Sequence, residues 1–158
     1  MKIFISHKRN DSSAAEAVAR RLRTVHTIDS YLDLIDSHLA KPGEDLGDYL
    51  RKELGKCSHL LAVVSTATKE SWWVPWEICI ATEKDYPLAT YVQGPCSLPD
   101  YLKKWPYLLS DLDLDKYAKA ARVSSQKLEE VKAYRSLEAA RRDSTTLFYR
   151  NLRAALGQ

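Results

Sequence analysis

Glycine is scarce in this chain of 158 residues: only Gly43, Gly47, Gly55, Gly94 and Gly157, with no GxGxxG or GxxxxGK[ST] array among them. A Rossmann dinucleotide loop and a P-loop both need such spacing to bring backbone amides against phosphate, so both are excluded. Cysteine is scarcer still. Cys57, Cys79 and Cys96 are odd in number and form no CxxC pair, which argues against a disulfide framework or a zinc site and predicts three buried or semi-buried thiols. The histidines His7, His26, His38 and His59 show no HxxxH or HExxH spacing, so no metal is expected. No apolar run approaches the ~20 residues that span a bilayer, and Met1-Lys2-Ile3-Phe4-Ile5 leads into a strand pattern rather than a signal peptide. The expectation is a cytoplasmic protein with no membrane partner. An excess of one charge is missing too: 24 basic residues stand against 21 acidic ones, interleaved along the chain, which speaks against a nucleic-acid surface. Ser65 and Ser71 lie outside any GxSxG context, so serine-hydrolase chemistry is not expected.

What is present is a core of ordinary size. Hydrophobic residues make up 45 % of the chain, enough for a single domain over 1–158. Strand patterns fall at Lys2–Ser6, Ser30–Ile35, His59–Ser65 and Leu88–Val92, with an edge strand near Tyr107–Leu109. The near-continuous apolar run of the third marks a strand covered on both faces. Between them lie helical patterns at about Ser12–Val25, Asp45–Lys56 and Val74–Lys84. This alternation predicts a parallel sheet with helices on both faces. After Leu98 the pattern changes: a short helix to about Trp105, a helix around Asp113–Arg122, then helices Gln126–Arg142 and Thr145–Leu156 with Asp143 or Ser144 as the cap between them. The sheet core is expected over about 1–110 and a helical region over about 111–158.

In open parallel sheets, ligands bind outside the carboxyl ends of the strands. Here those ends carry Ser6 to Arg9, Asp33 to Gly43, Ser65 to Thr68, and Gln93. Glu77 follows the central strand, directly after Ser71-Trp72-Trp73-Val74-Pro75-Trp76. Pro75 suits a helix's first turn and predicts a helix start there, with Glu77 about two residues inside, where the dipole favours an anion. A fixed carboxylate beside flat apolar walls suits cleavage of a glycosidic bond through an oxocarbenium-like state. The simpler alternative is an ordinary first-turn carboxylate, with Trp72, Trp73 and Trp76 as packing residues.

Several of these segments resemble Toll/interleukin receptor (TIR) domains. Phe4-Ile5-Ser6-His7-Lys8-Arg9 is similar to the family's first strand and loop. Leu32-Asp33, with Leu39 and Gly43 following, resembles its second strand and long connecting loop. His59 to Ser65 resembles its central strand, and Trp73-Val74-Pro75-Trp76-Glu77 its Trp-x-x-x-Glu segment. The resemblance covers about Lys2 to Val92. It implies a flavodoxin-like three-layer fold, about five parallel strands with helices on both faces, carrying extra C-terminal helices.

The resemblance is to the bacterial NAD⁺-cleaving type, the Thoeris-like antiphage TIR proteins. It implies that Glu77 is catalytic, holding the ribose next to nicotinamide and steadying positive charge as the bond breaks. NAD⁺ is then a substrate and no cofactor is needed. Substrate contacts are expected from Ser6, His7, Lys8, Arg9, Asp33, Ser65 and Trp73, and a gating loop from Leu39, Lys41, Pro42 and Gly43. Lys8 and Arg9 read either as a solvated loop or as donors to the pyrophosphate. Asp33 reads as a turn cap or a pocket carboxylate. Pro42 is expected to stiffen its loop. The implied partners are NAD⁺, other TIR domains on activation, a phage-derived trigger, and a separate effector that responds to an ADP-ribose-derived product. The alternatives are a non-catalytic TIR–TIR interaction module or host-TIR mimic, and a nucleoside deoxyribosyltransferase-like enzyme on a similar sheet.

Overall fold

The computed structural model describes residues 1–32, 46–66, 73–95, 98 and 100–158, with the backbone alone at 46, 47, 73–76 and 101. Five strands, β1 (Lys2–Ser6), β2 (Asp29–Leu32), β3 (His59–Val64), β4 (Leu88–Val92) and β5 (Tyr107–Leu108), form one sheet in the order β2-β1-β3-β4-β5. Every pairing is parallel. This is the flavodoxin-like order, whose direction reverses between β1 and β3 and opens a crevice at their carboxyl ends.

The helices are α1 (Ser12–His26), α2 (Leu46–Gly55), α3 (Trp73–Glu83), α4 (Asp111–Val131) and α5 (Leu137–Leu156). Successive side chains on a strand point to opposite faces, and the buried clusters divide accordingly. Ile3 and Ile5 of β1 and Leu61 and Val63 of β3 meet α1, α4 and α5 on one face. Phe4 of β1 and Leu60, Ala62 and Val64 of β3 meet Leu50 and Leu54 of α2 and Ile78 and Ala81 of α3 on the other. The same alternation places Ser6 on the α3 face and His59 on the α4/α5 face.

The C-terminal helices depart from expectation. One helix, α4, runs unbroken through the expected break at 122–126, because Ser124 Oγ donates back to the Ala121 carbonyl at 3.0 Å rather than ending the helix. The break comes instead at 132–136, where Ser136 caps α5 by accepting the Ala139 N–H at 3.3 Å. Asp143 and Ser144 lie inside α5 and do not cap it. Ser144 is buried and donates to the Ser124 carbonyl at 2.6 Å, so it ties α5 to α4. Where a short helix is expected from Leu98 to Trp105, the described residues form a 3₁₀ turn, Asp100–Leu102, whose Leu102 is buried on the α3 face.

Helix α5 also reaches the far edge of the sheet. Arg153 donates to the Lys104 carbonyl at 2.6 Å. Beyond the left-handed Gly157, the Gln158 carboxamide accepts the Tyr107 N–H at 3.1 Å and donates to the Tyr107 carbonyl at 2.7 Å.

Candidate functional site

At the carboxyl end of β1 the chain turns through a 3₁₀ helix, Arg9–Asp11, before α1 begins. The turn is held by Asp11 N–H donating to the Lys8 carbonyl at 2.8 Å and Ser12 Oγ donating to the Arg9 carbonyl at 2.7 Å. It sorts the loop by depth. Ser6, His7 and Asp11 face inward at 0, 7 and 3 % exposure, whereas Lys8 is half-buried and Arg9 exposed at the rim. His7 Nδ1 lies 3.4 Å from the Ile5 carbonyl.

Glu77 comes to the same place from α3. The helix begins at Trp73, one residue earlier than expected, so Glu77 is its fifth residue rather than about two residues in. Pro75 falls at the third position, still within the first turn, where its missing N–H breaks no helical bond. Glu77 therefore sits past the unsatisfied amides of the helix start, and tertiary surroundings rather than the dipole dominate its environment. It is 0 % exposed. Ser6 Oγ donates a hydrogen bond to Glu77 Oε2, joining β1 to α3 across 71 residues of sequence. Ser6 pairs with Ala62 of β3, so the contact lies at the β1/β3 switch point, where this topology places ligands. Ser65, just past β3, is half-buried.

The structure thus brings Ser6 and Glu77 into contact, with His7 and Lys8 in the adjoining turn. Trp73 is described by its backbone alone, as the first residue of α3. Asp33 and the loop residues Leu39, Lys41, Pro42 and Gly43 lie outside the described residues. Gln93 is exposed, and its N–H donates to the Val64 carbonyl at 2.8 Å, prolonging the β3–β4 pairing. Asp11 is the residue that sequence reasoning missed. An Asp before Ser12-Ser13 looks like a helix cap, but although Asp11 is the N-cap of α1 its side chain makes no capping bond and is buried instead.

A carboxylate without exposed surface acts through a low-dielectric path, where its attraction for a developing cation exceeds that in water. Its burial is costly unless hydrogen-bonded, and Ser6 supplies one such bond. Among the described residues no group of three or more His, Cys, Asp or Glu could hold a metal ion, and no helix is long and apolar enough to cross a membrane. The expectation of buried or semi-buried thiols fails at Cys79, which is exposed, while Cys57 is buried and Cys96 lies outside the described residues. Residue 79 falls on the outward side of α3, opposite Ile78 and Ala81.

A family model described as TIR domain matches residues 3–130. No curated protein matches the chain.

Proposed function

The chain belongs to the TIR domain family, and from that premise we propose that it is an enzyme that cleaves NAD⁺, releasing nicotinamide and making an ADP-ribose-derived signal in bacterial antiphage immunity. TIR domains include NAD⁺-cleaving enzymes and non-catalytic members, and they commonly self-associate. The observation that carries the enzymatic reading is the Ser6–Glu77 contact at the β1/β3 switch point, a buried carboxylate where this sheet order places ligands.

In this reading Glu77 is the catalytic residue. The bond between ribose and nicotinamide breaks with its electron pair leaving on the nicotinamide nitrogen, which becomes neutral. The positive charge left on the ribose is stabilised by the carboxylate. Water then adds and loses a proton to give ADP-ribose; capture by a nucleophile of the same molecule or of an acceptor gives a cyclic or conjugated product. Lys8 and Arg9 meet the pyrophosphate, and His7, Asp33, Ser65 and Trp73 line the substrate. The loop carrying Leu39, Lys41, Pro42 and Gly43 gates entry. Because Glu77 has no exposed surface, substrate contact requires that the carboxylate be uncovered, and activation by self-association or by a phage-derived trigger supplies that step. The protein acts in the cytoplasm, and a separate effector reads the product.

Incubation of the purified protein with NAD⁺, with nicotinamide followed by chromatography, tests the reading. Release by the wild type and none by Glu77→Gln is expected; equal release by both overturns it. The same lack of exposure at Glu77 favours a second reading, a non-catalytic TIR–TIR interaction module or host-TIR mimic, in which Glu77 serves packing alone. That reading expects Glu77→Gln to leave cellular signalling intact.

A further inference from the structure

We infer that Ser6 is a positioning residue: its hydroxyl orients the Glu77 carboxylate and holds it ionised, rather than contacting the ligand. The inference rests on the proposed role of Glu77.

Ser6 is well placed for this. It ends β1, a strand paired on both sides, with β2 through Lys2–Ile5 and with β3 through Ile3–Ser6. A donor mounted there cannot drift with a loop. The two-residue alternation of β1 turns Ser6 to the face of Phe4, which is the face that α3 covers. A serine carries one O–H, and that proton is donated to Glu77 Oε2. With the donor spent on the carboxylate, the hydroxyl has no proton left to offer a ribose or a phosphate. Both groups are fully buried, so water does not replace the bond when it is removed.

Two consequences follow from the chemistry. A hydrogen bond donated to a carboxylate favours its charged form and lowers its pKa, so deleting the donor raises that pKa. The bond also fixes the orientation of the carboxylate, and misorientation of an otherwise intact carboxylate lowers kcat more than it raises KM.

The experiment is a ¹³C NMR titration of the Glu77 carboxyl in wild type and Ser6→Ala, read without substrate. Beside it runs the pH profile of kcat/KM for NAD⁺ cleavage. In Ser6→Ala the carboxyl titration and the acid limb of the profile should both move upward by about one to two pH units, the worth of a hydrogen bond to a charged acceptor. kcat should fall about ten- to a hundredfold, with KM within about threefold. Ser6→Thr, which keeps the hydroxyl, should restore the titration. An unshifted Glu77 titration in Ser6→Ala overturns the inference, as does a change confined to KM. If Ser6→Ala does not fold, Ser6→Cys carries the same comparison, being close in volume and a weak donor. A wild type that releases no nicotinamide strikes the proposed activity alone, because the carboxyl titration still reads the Ser6 contact.

Discussion

Arg21 and Asp115 join α1 to α4 through two parallel hydrogen bonds: Arg21 Nε donates to Asp115 Oδ1 at 2.9 Å, and Nη2 to Oδ2 at 2.8 Å. His26 Nε2 lies 2.7 Å from the same Oδ1. The bonds from Arg21 first, and from His26 second, hold the Asp115 carboxyl well below the usual carboxylate range. A folded-state value below the unfolded one, about 3.9, means that this stabilisation is complete above that pH and is lost as pH falls further. Urea unfolding of Asp115→Asn between pH 7 and pH 3 should show lower stability at neutral pH and a flatter decline below about pH 4.

His59 opens a second, milder acid window. It lies on the α4/α5 face of the sheet, with Nδ1 2.9 Å from Ser58 Oγ and Nε2 2.9 Å from Ser124 Oγ. Burial pushes its pKa down to about 3. The ring is therefore neutral throughout the ordinary range, one nitrogen donating and the other accepting. The unfolded ring takes a proton near pH 6.5 and the folded one does not, so stability falls as pH drops below about 6.5. His59 should show no NMR titration between pH 8 and pH 5, and His59→Gln should lose the part of the stability slope that lies above the Asp115 window.

Phe148 ties α5 into the core. Its ring meets Tyr117, His59 and Tyr149 edge-on, with centroids 5.6, 5.6 and 5.5 Å away. Next to it, Tyr149 Oη accepts the N–H of Leu88 at the start of β4, at 3.2 Å. Phe148→Ala should cost about 3–5 kcal/mol in denaturant unfolding, the usual loss for a fully buried aromatic ring. A chain ended at residue 130, where the family match stops, loses Phe148 and Leu152 from the cluster that covers the sheet. It should fail to unfold cooperatively.

The two described cysteines should separate cleanly under alkylation. Burial pushes the Cys57 thiol up to about 11, and the residue is 6 % exposed; both suppress the reactive thiolate. Peptide mapping after brief iodoacetamide treatment of the native protein should find Cys79 modified and Cys57 spared, with Cys57 reacting only in denaturant.

The sheet was legible because its signals are local. Strands β1 and β4 have the bounds that their apolar runs predict, and β3 ends one residue sooner, since uninterrupted apolar runs between polar loops leave little choice of register. The C-terminal helices were legible in kind but not in their joint. Asp143-Ser144 and Ser136 offer equivalent capping chemistry, and what decides between them is the burial of Ser144 against α4, a tertiary fact. The site divides likewise. Glu77 stood out through its aromatic setting, but its hydrogen bond to Ser6 depends on β1 and β3 being neighbours, which strand order alone supplies. Asp11 was hidden because a capping residue and a buried one look alike in sequence.

The Gln158 carboxamide on Tyr107 stands in for a sixth strand. A primary amide has the same donor and acceptor as a peptide unit, and here one amide engages both outward-facing backbone groups of Tyr107. Any extended segment that would add to β5 must first break both bonds, so at this residue the sheet is closed to growth by a single side chain.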